Sequence, residues 1–337
     1  MLPSWTLVFM VRILRCFVLL SGLLVAAAAI AVPRELPGYQ PVAGISGNLN
    51  SMGSDSLNNL LMLWSESFQR YYPAVNIQIQ GTGSSIAPTA LLEGTANIGP
   101  MSRAMKAAEE EVFIRKYGYP PTAIPVAMGV IAVYVNKDNP LTAISLTQLA
   151  GVFSGPPSCG VTRAISRWGE LGLVGHWQNR SFERYSRHAV SGTYGYFQQA
   201  ALCGGDFLRT INEMPGSASV IKGVAGSLNG IGYAGIGFRS ADVRPLAIRV
   251  DDEDVLPQPE TALSGRYPLV RTLYLYVNKH PQKGLSAVEA EFLKLILSRE
   301  GQALISLDGY IPLPVGQVRE WQEKLGLTTD GGASHEG

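Results

Sequence analysis

The chain has 337 residues, 46% of them hydrophobic and 16% charged, with a formal net charge of +1. That length suits about two domains of ~150 residues with a sizeable buried core. The near-balance of charge excludes a nucleic-acid surface built on bulk positive charge and a solvated acidic coil. The 37 Gly and 21 Pro show no triplet period, which excludes collagen, and three cysteines are too few for a disulfide-built miniprotein.

In chain order, Arg12 and Arg15 come first, ahead of an uncharged apolar run from Cys16 to Val32 that ends in Ala29-Ile30-Ala31 before Pro33. Basic, then apolar, then small residues is the order of an export signal, here residues 1–31 with cleavage after Ala31. The expected location is therefore periplasmic or secreted. Met10 offers a second start that gives a more conventional signal than Met1. The alternative is a retained anchor, because the run is close to the ~17 residues that can span a bilayer. Cys16 opens the apolar run rather than following it, so it is not placed as a lipoprotein cysteine. Cleavage leaves 306 residues, takes away two Arg and no acid, and moves the net charge from +1 to −1. It also leaves Cys159 and Cys203, an even pair that suggests one disulfide in an oxidising compartment, with two separate buried thiols as the alternative.

Residues 32–45 are rich in Pro and Gly and read as an unstructured lead-in. Leu57, Leu60, Leu61, Trp64 and Phe68 recur at helical spacing up to Tyr72, and Pro73 stops that helix. Val75, Ile77 and Ile79 alternate as a strand, Ile86 to Leu92 reads as a helix, and Asn97 to Gly99 as a strand end. Residues 107–117 predict a charged helix with Val112, Phe113 and Tyr117 on its apolar side, and Val126 to Val135 a buried strand. The second half repeats the theme. Phe182 to Tyr185 predicts a strand, 192–203 and 217–227 predict helices, and Ile231 to Ala234 and Val243 to Ile248 predict strands. Helix follows from Val288 to Leu297 and continues from Ser298 to Leu307, and the polar tail at 328–337 is expected to fray. Alternating strands and helices indicate an α/β protein with mostly parallel sheets.

One echo bears on the domain organisation. Val133-Tyr134-Val135-Asn136-Lys137 returns as Leu275-Tyr276-Val277-Asn278-Lys279. Chance likeness of two strands is one explanation. The other is a pair of crossover strands, one leaving a first lobe (44–133 plus 272–327) and one returning from a second (134–271). Two lobes joined by two strands make a hinge with a ligand cleft between them.

Four small-polar turns carry the chemistry: Gly53-Ser54-Asp55-Ser56, Gly81-Thr82-Gly83-Ser84-Ser85, Gly99-Pro100-Met101-Ser102-Arg103 and Ser191-Gly192-Thr193. Three of them directly precede predicted helices, whose first turns leave free N–H groups and a partial positive charge. Ser, Thr or Asp at such places can be a plain cap. Gly also lets an anion approach the backbone, and several such turns in one two-lobed chain favour an oxyanion site. Arg187, four residues before Ser191, is a candidate bidentate partner for that anion, and Arg103 a weaker one.

The turn Gly81 to Ser85, the run Arg187-His188-Ala189-Val190-Ser191-Gly192-Thr193, Ile231-Gly232-Tyr233, Gly301-Gln302 and Gly309-Tyr310-Ile311-Pro312-Leu313-Pro314 together resemble the phosphate-binding proteins of PstS type. These are secreted receptors of the bacterial phosphate ABC transporter. The resemblance covers roughly residues 45–325 and implies a type II periplasmic-binding-protein fold, with two hinged α/β lobes and the ligand cleft between them. It implies high-affinity binding of inorganic phosphate and delivery to an ABC permease by a monomer, with no cofactor, no metal and no nucleic-acid partner. Ser84, Arg187, Ser191, Gly192 and Thr193 match the family's ligand residues. Asp55 and Ser56 stand in the first phosphate loop, where the family often has a Thr and an apolar residue. Ser102 falls at, or within one position of, the family's Asp, and Ala189 stands where some members carry an Asp beside the Arg.

The Ser102 departure matters because the family's Asp accepts a hydrogen bond from the proton that phosphate keeps at neutral pH and sulfate lacks. A buried acceptor left unpaired costs ~1–3 kcal/mol, which is the basis of discrimination. Asp55 is the candidate to take over that role, with an ordinary helix cap as its alternative. The same departure keeps other tetrahedral oxyanions (sulfate, molybdate, an organic phosphate) open as ligands. Adhesion or signalling by a surface-attached protein of this fold is a further alternative. Catalysis is not expected. The four His (His176, His188, His280, His335) lie in no nucleophile or metal motif, and no G-x-S-x-G, H-E-x-x-H or Walker A sequence occurs.

Overall fold

The structure, a computed structural model, describes residues 35–155 and 158–327; the expected export signal and the polar tail lie outside these residues. The chain first builds three parallel strands, β1 (Gly47–Gly53), β2 (Val75–Gly81) and β3 (Ile98–Met101), connected by α1 (Asn58–Tyr71) and α2 (Ala87–Glu93). Leu57, Leu60, Leu61, Trp64 and Phe68 are all buried, so the apolar stripe read from spacing is the face that α1 lays on the sheet. The helix α3 (Ala107–Tyr117) packs by Phe113, and the Val112 expected beside it is exposed.

The 15-residue β4 (Thr122–Asn136) then carries the chain away. It leads to β5 (Ala143–Ser145), α4 (Leu146–Phe153), β6 (Glu183–Arg187), α5 (Gly192–Ala201), β7 (Asn212–Met214), α6 (Ser217–Gly226) and β8 (Gly230–Gly235). The segment closes with β9 (Val243–Pro245), β10 (Ala247–Val250), β11 (Glu253–Val255) and α7 (Pro259–Leu263). Then β12 (Val270–Val277) returns, followed by α8 (Ala287–Ile296), α9 (Arg299–Leu307), β13 (Ile311–Pro312) and α10 (Val315–Leu325).

One continuous sheet runs β2-β1-β3-β12-β4-β8-β6-β7. At its centre β4 and β12 pair antiparallel from Val130↔Val270 to Thr122↔Val277, with one register irregularity at Leu273/Tyr274. The two echo segments lie at opposite ends of this ribbon: Val133–Asn136 against β8 and β9, Leu275–Val277 against β3. The sheet is therefore mixed rather than mostly parallel. Each flank is parallel, but a strand that leaves and a strand that returns must run in opposite directions when they lie side by side.

The apolar core falls into two main clusters. One gathers Leu57, Trp64, Phe68, Leu275 and Phe292; the other Val133, Phe153, Trp168, Phe197 and Tyr233. The chain passes between them at Ala127–Val130 and at Leu269–Leu273. The molecule thus has the expected two α/β lobes joined by two crossing strands.

Several local expectations are corrected. The Pro/Gly-rich lead-in has no helix or strand, yet Leu36 and Tyr39 are buried in the first lobe's core. Tyr39 N–H donates to Glu300 (2.7 Å), its hydroxyl donates to Glu291 (2.8 Å), and Arg299 N–H donates to the Pro37 carbonyl (3.0 Å). Pro and Gly forbid regular structure there, but two large apolar side chains still gain by burial. The C-terminal helix is two helices, because Ser298 ends α8 and caps α9 by accepting from Gly301 N–H (3.2 Å). Leu246 likewise separates β9 from β10. Cys159 and Cys203 form a disulfide, with Cα atoms 5.4 Å apart.

Candidate functional site

Three loops meet at the carboxyl ends of β1, β2 and β3, the end of a parallel sheet where α/β proteins place ligands. The backbone locks them together: Ser54 N–H donates to Pro100 C=O (2.7 Å) and Gly83 N–H to Gly53 C=O (2.7 Å). Ser102 N–H donates to Ser84 Oγ (3.0 Å), and the two hydroxyls lie 3.3 Å apart. From the other lobe, Arg187 ends β6, and Ser191 caps α5 by accepting from Thr193 N–H (3.2 Å). The plain capping reading of Ser191 is therefore fulfilled, and the start of α5 lies against the Ser84 and Ser102 hydroxyls.

The lobes touch across this cleft. Arg187 pairs with Asp55 at 2.8 Å and also donates to Ser217 Oγ (3.0 Å) and Pro215 C=O (3.1 Å). The Ser56 and Thr193 hydroxyls share a hydrogen bond (3.0 Å), and Ser85 N–H donates to Val190 C=O (3.1 Å). Two glycines make the approach possible. Gly83 has φ +135°, and a Cβ there would stand 2.6 Å from the Val190 carbonyl oxygen. A Cβ on Gly192 would collide with Ser84 Oγ and Ser102 Oγ.

Further groups brace these loops. The Tyr310 hydroxyl donates to Ser56 C=O (2.5 Å), and the Tyr233 and Ser186 hydroxyls share a bond (2.6 Å) beside Arg187. Arg103 is not a free anion partner: it grips Glu109 with two bonds (2.7 and 2.8 Å) and donates to Ser85 Oγ (3.1 Å). Burial works to raise the Glu109 carboxyl, but Arg103 and the Lys106 N–H hold it below its ordinary value. His188 is a surface residue, with its ring nitrogen 3.1 Å from Pro215 C=O. Among the described residues, no three His, Cys, Asp or Glu side chains gather as a metal-ligating set.

The structure adds Arg271, on β12, which is 5% exposed. Its Nη2 donates to Thr193 Oγ1 (2.9 Å), while Nε and Nη1 have no hydrogen-bond partner. Chemically, the assembly is a pair of guanidinium groups, one carboxylate, several hydroxyls and a helix N-terminus converging from two lobes, an arrangement suited to holding an anion.

A PBP superfamily domain model matches residues 39–300. The phosphate-binding protein PstS of Pseudomonas aeruginosa is 50% identical over 309 residues, covering 91% of this chain and 96% of its own length. The chain belongs to the PstS family. PstS of Bacillus subtilis is 28% identical, covering 80% of this chain and 81% of its own. A solved Clostridium perfringens chain, described as a phosphate ABC transporter substrate-binding protein with bound phosphate, aligns with a TM-score of 0.68 at 25% identity. It is matched over its whole length by 80% of this chain. An ABC-type phosphate transport receptor of Vibrio cholerae shares the fold, with a TM-score of 0.63 at 22% identity over 79% of this chain and all of its own. PstS proteins bind rather than catalyse.

In this PstS chain, every residue expected in the cleft from the sequence (Asp55, Ser56, Ser84, Ser102, Arg187, Ser191, Gly192 and Thr193) lies in the connected set described above. Sequence reading missed Arg271, Ser217 and Tyr310. One signal for Arg271 existed: it is the only charged residue within β12, a strand otherwise made of apolar and aromatic residues and one threonine.

Proposed function

We propose that this protein is an exported phosphate receptor that closes around inorganic phosphate and presents it to a membrane ABC permease, working as a monomer. On this reading residues 1–31 are a cleaved export signal, lobe 1 comprises 44–133 plus 272–327 extended back to Leu36, and lobe 2 comprises 134–271. The observation that carries it is the convergence, at the carboxyl ends of strands from both lobes, of Arg187, the Ser191-Gly192-Thr193 start of α5, and the Ser56, Ser84 and Ser102 hydroxyls. The PstS relatives, named for phosphate, support the same ligand. With a mature charge of −1, attraction for a dianion must come from this local set.

Capture works by differential contact. The open cleft offers donors from one lobe at a time, while the closed one offers them from both. Charge-assisted hydrogen bonds of ~1.5–3 kcal/mol each favour closure, and the closed form is the one a permease would recognise. The test is calorimetry with phosphate, sulfate, molybdate and a phosphomonoester, on protein exported with its own leader and stripped of phosphate. Phosphate should bind tightest, and Arg187→Ala should weaken it by about 100-fold. Tighter binding of sulfate, or no phosphate binding by the wild type, would overturn the reading.

A further inference from the structure

Among the described residues, three arginines are nearly or fully buried: Arg103, Arg187 and Arg271. The first faces Glu109 and the second Asp55. Arg271 forms no ion pair with any described residue, and its single side-chain hydrogen bond goes to a neutral hydroxyl, that of Thr193. The Tyr196 ring, 5.7 Å from the guanidinium carbon, gives it a π face but no counter-charge. A buried, unpaired cation is costly, and a guanidinium cannot escape that cost by losing its proton at neutral pH. Burial, reinforced by Arg187, pushes its pKa down to about 10, which still leaves it charged.

Its position says what is missing. Arg271 contacts the first turn of α5 through Thr193, whose hydroxyl also touches Ser56, so its guanidinium adjoins donors from both lobes. It sits on a crossing strand, two residues from the register irregularity at Leu273/Tyr274. Asp55 pairs with Arg187 at 2.8 Å and acts on Arg271 only as a charge beyond ion-pair contact, so Arg271 has no carboxylate against it. We propose that Arg271 is a second guanidinium ligand of the bound oxyanion, presented by the crossing strand through Nε and Nη1, and that the anion is the counter-ion this buried cation lacks. The proposal rests on the reading of the cleft as a phosphate site.

The probe is inorganic phosphate, titrated by calorimetry into stripped wild type, R271M and R271Q. Phosphate binding by the wild type tests the underlying reading, and the variants test Arg271 itself. R271M removes the charge and keeps an unbranched apolar stem. Its phosphate affinity should fall by about 100-fold. Its melting temperature without phosphate should hold or rise, because an unpaired buried charge has gone. A merely structural arginine gives the opposite sign, with a lower melting temperature and unchanged affinity in whatever folds. Wild-type affinity in R271M overturns the proposal. If R271M does not fold, wild-type affinity in R271Q overturns it equally, and loss of affinity in R271Q at an unchanged melting temperature supports it.

Discussion

Asp55 faces two demands at once: it is the counter-ion of Arg187 across the cleft, and with 17% of its side chain exposed it keeps access to the cleft interior. Ala189, beside the arginine, cannot provide a carboxylate, so the neighbouring charge comes from the opposite lobe instead. With serine at position 102, Asp55 is the carboxylate in this set, and the proposed acceptor of a hydrogen bond from the proton on phosphate. Asp55→Asn should therefore narrow the preference for phosphate over sulfate by about 10- to 100-fold, the equivalent of one lost buried acceptor. Competition calorimetry with both anions measures this, and an unchanged ratio removes Asp55 from the role. At this scale the sequence was most legible where the proposed ligands are contiguous. Arg187 to Thr193 forms one turn and one helix start, so spacing alone placed its members together. Arg271 was not legible, because its meaning depends on meeting Thr193 from a strand nearly eighty positions further along the chain.

Among the elements, α5 carries a packing demand that bears on the cleft. Gly192, in its first turn, sits against Ser84 and Ser102, so the helix can seat in the cleft only without a Cβ at that position. Gly192→Ala should hold the lobes apart, lowering phosphate affinity by about 10-fold or more while leaving each lobe folded. Small-angle scattering should then show no compaction on adding phosphate, and wild-type compaction would count against the packing argument. The helices themselves were readable from apolar spacing and from stops such as Pro73, because those signals act within a few residues. The sheet's mixed sense was not. Strand direction is set by which partner lies alongside, and nothing in the local pattern of Val126 to Val135 says that its neighbour runs back towards it. Nor was the docked strap at Leu36 and Tyr39 visible, because Pro and Gly announce irregular backbone without saying whether it is buried.

For the molecule as a whole, the disulfide and the central ribbon set different properties. The Cys159–Cys203 bond closes a segment 44 residues long and joins the far end of α5 to the loop after α4. Removing such a link typically costs about 2–4 kcal/mol of stability. The cleft end of α5 lies ten residues away, about 15 Å along its axis. Reduction should therefore lower the denaturant midpoint clearly while changing phosphate affinity by less than about threefold. Unfolding curves with and without reductant, read beside calorimetry, separate the two effects. The central ribbon bears on speed rather than on strength. Because β4 and β12 are hydrogen-bonded to each other where they cross between the cores, the linker is a paired strip, not two loose cords. Such a strip flexes about few axes, so little conformational freedom remains to be lost when the lobes come together. On the proposed reading, arrival of an anion is then followed by one short swing instead of a search among shapes, which would leave association governed by diffusion and local field, and release governed by how often the strip bends open.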